Sequence, residues 1–226
     1  MVPIVSAAGF AALSGITMVL MGRATNQKLQ NAHPDDEDTQ NVRPYGKGPL
    51  EWCLFPGILA ASCLVGYFAS NKGISWIGVT ELAACYLAVL SAAVIDLKTK
   101  TIPNYIPAAL AIFRLVMVAV EFVFLDDALN YLISSLIGGL LCMVLLVIAN
   151  KISKGGIGAG DIKLLSAVGF VLGLYPVLSA MLFSLLGFIL LSALLLLAKK
   201  CSLKDQLPFG PFIYVGFLVY CLVNLH

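Results

Sequence analysis

Charge is what this chain has least of. Of its 226 residues only 12% are Asp, Glu, Lys or Arg while 60% are hydrophobic, which excludes a water-soluble domain with an ordinary charged surface. Histidine is nearly absent: His33 lies in a polar loop and His226 is the last residue, so no apolar segment offers an imidazole as a general base. The six cysteines, Cys53, Cys63, Cys85, Cys142, Cys201 and Cys221, stand singly and mostly in apolar runs. Without a pair at metal-ligand spacing they suggest no metal site, and they read as small buried hydrophobes. The net charge is only +2, and no basic stripe with interleaved aromatics points to nucleic acid.

What the chain has instead is long apolar runs. A spanning helix needs ~20 mostly apolar residues, and on that measure the sequence predicts an all-α, polytopic membrane bundle forming a single domain over 1–226. Its expected segments lie near 2–22, 52–70, 74–95, 105–125, 131–149, 177–198 and 207–225, with a short one near 164–174. The first lacks a basic region ahead of it and exceeds a signal-peptide core, so it is expected to be retained. Counting the short segment gives about eight crossings. The basic residues then sort by side: twelve of the fourteen (Arg23, Lys28, Arg43, Lys47, Lys98, Lys100, Lys151, Lys154, Lys163, Lys199, Lys200 and Lys204) fall in the connections 23–51, 96–104, 150–163 and 199–206. The positive-inside rule makes those connections cytoplasmic and puts both termini outside.

Under that topology two acids, Asp96 in "SAAVIDLKTKTIPN" and Asp161 in "SKGGIGAGDIKLL", fall at the cytoplasmic boundary. Two carboxylates brought together with low dielectric behind them cannot both ionise easily, so the pair holds one proton between them. That is the chemistry of aspartic proteolysis, in which the ionised member takes a proton from an attacking water and the protonated member donates to the developing oxyanion. Gly155, Gly156, Gly158 and Gly160 then supply slim backbone beside an extended substrate. The other reading of the same stretch is a turn between helices with Asp161 as an N-cap.

"GIGAGDIKLL" resembles the Gly-x-Gly-Asp motif of the prepilin peptidases, intramembrane-type aspartic proteases that process type IV pilins and related pseudopilins. "DLKTKTIPN" resembles the family's first-aspartate segment, and "LPFGPFIYVG" its third element, a turn opening the last helix. Presenilin-like proteases share Gly-x-Gly-Asp but carry Tyr-Asp where this chain has Ile95-Asp96. The resemblance, running from about residue 80 to 220, implies that Asp96 and Asp161 are the catalytic pair. It places Gly156, Gly158, Gly160, Lys163, Pro208, Phe209, Gly210 and Pro211 in the active-site or substrate-binding loops. Lys163 would lower the pKa of a nearby carboxylate, contact lipid phosphate, or simply snorkel. The implied substrate is a prepilin or pseudopilin with a short basic leader, cut on the cytoplasmic side of a bacterial or archaeal plasma membrane while its apolar stem stays in lipid. Longer members carry two Cys-x-x-Cys pairs in the first loop, associated with N-methylation. Residues 23–51 contain no cysteine, so this chain resembles a short form with no zinc, no other cofactor and no methyl transfer.

Three features fall outside that pattern. "PDDEDTQ" could attract a basic leader but equally reads as solvated surface. Glu81, Arg114 and Glu121 lie within apolar segments at similar depth and are expected to form a structural charge cluster toward the outer side. The alternative to an enzyme is a cation-coupled transporter with Asp96 and Asp161 as its ion site.

Overall fold

The computed structural model describes residues 74–198 and 208–225, together with the isolated positions 12, 16, 19, 58, 62, 65 and 66. The chain divides into two compact units, one comprising Ser75–Asn224 and the other Met1–Ile74 with Leu225–His226. Apart from those isolated positions, the expected segments at 2–22 and 52–70 lie outside the described residues, as do the polar loop 23–51 with its acidic run and the connection 199–206.

Every regular element among the described residues is a helix: α1 Trp76–Thr99, α2 Tyr105–Phe124, α3 Ala128–Ile152, α4 Ala159–Leu172, α5 Leu174–Leu197 and α6 Gly210–Leu225. Local chemistry sets their ends. The Ser75 hydroxyl accepts the Gly78 N–H at the start of α1. Lys100 closes the same helix in the left-handed region at φ 51, and Pro103 then bars its continuation. Four helices contain spans long and apolar enough to cross a membrane, Trp76–Leu97, Tyr105–Phe124, Ala128–Ile152 and Leu174–Leu194, so the chain is an integral membrane protein.

Two helices differ from expectation. α4 begins at Ala159, so Gly160 and Asp161 belong to its first turn rather than to a loop ahead of it. It ends at Leu172 with Gly173 as its C-cap, at a φ of +87 that only glycine adopts readily. Pro176 sits in the first turn of α5, where its missing N–H is no loss. The segment expected as a long crossing at 207–225 is a helix of only 16 residues, because Pro208 and Pro211 confine its start to Gly210. At 1.5 Å per residue, the 14 residues of α4 and the 16 of α6 extend roughly 21 and 24 Å, short of the ~30 Å hydrocarbon core.

The short α4 is central. It packs against α1, α2, α3 and α5, and eight of its 14 residues are buried. The α3–α4 crossing is backbone on backbone: a Cβ on Gly138 would lie 2.7 Å from the Gly169 carbonyl oxygen, and one on Gly169 would lie 2.8 Å from that of Gly138. Lipid gives no hydrophobic reward for helix association, so close approach through small residues, with the dispersion it adds, holds such a pair together.

The expected charge cluster joins α1, α2 and α3. The Arg114 guanidinium donates to both Glu121 carboxylate oxygens at 2.6 and 3.0 Å, to Glu81 Oε1 and to the Ser135 hydroxyl. All four residues are buried.

Candidate active site

Asp96 occupies the last turn of α1, where helical geometry turns its side chain into the bundle; it is 5% exposed. The group that meets it comes from 114 residues away. The backbone N–H of Gly210, the first residue of α6, donates to Asp96 Oδ2 at 2.7 Å, and the Phe209 amide acts on the same carboxylate. A Cβ at Gly210 would lie 2.8 Å from Asp96 Cβ and 2.9 Å from Oδ2, so only glycine brings the amide this close. The surrounding prolines cost nothing here, since Pro211 stands in the first helical turn, whose N–H groups have no intrahelical partner. Phe209 and Phe212 both pack edge-on against Phe188 of α5, with ring centroids 5.3 and 5.2 Å apart, and this anchors the turn.

Asp161 approaches from α4. The connection from α3 reverses through Lys154 and Gly155, at φ 53 and 90. Asn150 Oδ1 accepts the Ile157 N–H at 3.1 Å, and Ser153 Oγ accepts that of Gly156 at 3.2 Å. Gly158 is the N-cap of α4, so Asp161 is its third residue and not a cap. Its carboxylate reaches back toward the Gly158 amide, as the acidic member of a capping box does. The glycines therefore have packing reasons beyond the expected slimness toward a substrate. A Cβ on Gly158 would meet Asp161 Oδ2 at 2.7 Å, and one on Gly160 would meet Ile102 Cβ at 2.8 Å. Gly155 faces open space and Gly156 only Ser153.

The carboxylates of Asp96 and Asp161 interact electrostatically. Asp161, which precedes the apolar part of α4 and lies outside the four long spans, is pushed up to about 7 by burial first and the Asp96 charge second, against the opposing Gly158 amide. Its Oδ1 is buried with no hydrogen-bond partner in the protein, an arrangement that suits a group awaiting water or substrate.

Lys163 is turned elsewhere. Its Nζ donates to Asn104 Oδ1 at 2.8 Å, tying the N-terminal part of α4 to the start of α2. Asn104 and Ile102 are contacts of the site that sequence reasoning did not single out, although both stand inside the quoted "TKTIPN"; their partners are about 60 residues away and no local pattern marks them. A cavity of about 430 Å³ lined by Ser134, Leu174, Tyr175, Leu178, Ser179 and Leu182 lies at the opposite end of α4 from the carboxylates.

Two buried, interacting carboxylates at one end of an apolar helical bundle are the parts of an aspartic peptidase set in a membrane protein. Residues 83–198 match the family model described as the Type IV leader peptidase family, a stretch containing both aspartates. The chain is 30% identical over 185 residues to the prepilin leader peptidase/N-methyltransferase of Bacillus subtilis, covering 77% of this chain and 71% of that protein. It is 28% identical over 149 residues to the protein of the same name from Vibrio cholerae serotype O1, covering 64% of this chain and 56% of that protein. No solved structure matches. The chain belongs to the Type IV leader peptidase family and is an aspartic endopeptidase.

Proposed function

We propose that this enzyme removes the short basic leader of a type IV prepilin or pseudopilin at the cytoplasmic boundary of a bacterial or archaeal plasma membrane, with Asp96 and Asp161 activating the water. The observation that carries the reading is the pairing of the two aspartates, with a buried and unpartnered Asp161 oxygen, inside the segment matched to the family. One carboxylate takes a proton from water as it attacks the scissile carbonyl, and the other donates its own to the oxyanion; as the C–N bond breaks, the first gives the water's proton to the leaving nitrogen and the second takes a proton back from the diol hydroxyl, which restores the starting pair. Family membership favours this over the cation-coupled transporter that two membrane carboxylates also suggest.

Both relatives carry N-methyltransferase in their names, whereas residues 23–51 of this chain hold no cysteine for a thiolate zinc site. The reading is therefore a peptidase that binds no structural zinc and leaves its product unmethylated. Purified enzyme mixed with a prepilin and S-adenosylmethionine is expected to give a product shortened by the leader and carrying no added methyl mass. An intact prepilin refutes the peptidase reading, and a methylated product refutes the second half alone.

The expected topology, with about eight crossings and both termini outside, puts the aspartate end of the bundle in the cytoplasm. A cysteine at the exposed position Ile152 should then react only with membrane-permeant reagents, and one at the exposed position Asp127 should be labelled from outside. The reverse pattern places the site on the other face.

A further inference from the structure

Two carboxylates that act on one another are not interchangeable when their surroundings differ, and those of Asp96 and Asp161 differ. Asp96 Oδ2 accepts a 2.7 Å hydrogen bond from the Gly210 N–H. That amide opens a 16-residue helix, so the positive end of its dipole stands against the same carboxylate. Asp161 meets the dipole of α4 and one backbone amide, that of Gly158, whereas the amides of both Gly210 and Phe209 act on Asp96; and Asp161 Oδ1 is buried with no donor. A backbone N–H can donate and never accept, so an amide held against an oxygen favours the ionised form of that carboxyl group. An orphaned oxygen in a buried site favours the form that carries a proton and can donate.

We propose that the Gly210 backbone amide is a positioning group that holds Asp96 as the carboxylate of the pair and leaves the shared proton on Asp161. The inference rests on the peptidase reading for its consequence: Asp96 takes the proton from the attacking water, and Asp161 gives its own to the substrate oxygen. Among the described residues no other charged group reverses the order. Asp161 is the titratable side chain facing Asp96 from α4, and the turn before α6 brings amides only. Lys163 is engaged with Asn104, and the Arg114 cluster is joined to α1 at Glu81, fifteen residues or roughly 22 Å along the helix from Asp96. The demand on residue 210 follows, since any side chain there enters the volume of the Asp96 carboxylate.

The test uses the intact protein and needs no substrate for its first part. Carbodiimides activate protonated carboxyl groups, so wild-type enzyme treated near neutral pH with dicyclohexylcarbodiimide and mapped by mass spectrometry should carry the adduct on Asp161 and not on Asp96. An adduct on Asp96 equal to or above that on Asp161, or an unlabelled Asp161, overturns the assignment. In Gly210→Ala the donor is displaced; the adduct should spread to Asp96, and the acid limb of the cleavage profile should move up by about one pH unit while the alkaline limb stays. A Gly210→Ala enzyme slowed with an unshifted acid limb shows a merely structural glycine and also overturns the proposal. Should that variant not fold, the wild-type labelling still decides. Asymmetric labelling in a protein that cleaves no prepilin would instead fault the peptidase reading and leave the proton assignment standing.

Discussion

Asp96→Asn and Asp161→Asn are each expected to slow prepilin cleavage by roughly a thousandfold or more, with folded protein still recovered from the membrane. Asparagine keeps the shape of aspartate but neither accepts a proton from water nor yields one to a substrate, and general acid–base steps of this kind contribute about 10²–10⁴ each. The measurement is the initial rate of leader release from a purified prepilin. Turnover within tenfold of wild type in either variant removes that residue from the chemistry. The wild-type profile should be bell-shaped, since the pair works with one proton between its two members. Because Asp161 is held near 7, activity should fall on the alkaline side as pH rises through about that value and the proton is lost. Stability moves in the same direction. A carboxyl group raised from 3.8 to about 7 binds its proton more tightly in the native than in the unfolded chain, so its burden on the fold sets in above 3.8 and is complete above about 7. Asparagine at 161 carries no such burden, and that variant should be at least as resistant to heat as wild type above pH 7. An inactive variant that also melts earlier there would indicate structural damage.

Replacing Arg114 by Leu should lower stability by about 3–5 kcal/mol, the cost of removing one partner from a buried ion pair. Arg114 is 1% exposed and serves two carboxylates and a hydroxyl from three helices at once. Without it Glu81 and Glu121 are like charges left in an apolar interior without the guanidinium that answers them both. Thermal or denaturant unfolding in detergent measures the loss. A triple variant in which both glutamates also become glutamine should recover much of it, because hydrogen-bonded neutral groups tolerate that interior far better than unpaired charge. A change under about 1 kcal/mol in Arg114→Leu would mean that the three helices are held by packing alone.

The helices were legible because lipid imposes a single simple requirement, an apolar run of sufficient length with basic residues at its ends. The expected segments at 74–95, 105–125, 131–149 and 177–198 each fall on an observed helix. The two aspartates stood out for the same reason, as rare charges in an apolar chain. Ion pairing among Glu81, Arg114 and Glu121 followed from depth counting, since helical rise is constant. Other features have no local signature. The bond from Gly210 to Asp96 spans 114 residues and depends on how α6 meets α1. The partnership of Lys163 with Asn104, which is none of the three roles the sequence left open, depends on how α4 meets α2. The start of α4 at Ala159 was hidden because glycines ordinarily mark a loop, whereas here close packing against Ile102 and the Asp161 carboxylate demands them within the first turn of a helix. Composition and periodicity thus determined that the chain crosses a membrane and which acids merit attention. Tertiary packing decided which amide faces which carboxylate, because a hydrogen bond depends on placing two atoms to within a few tenths of an ångström, and only the assembled helices set that distance.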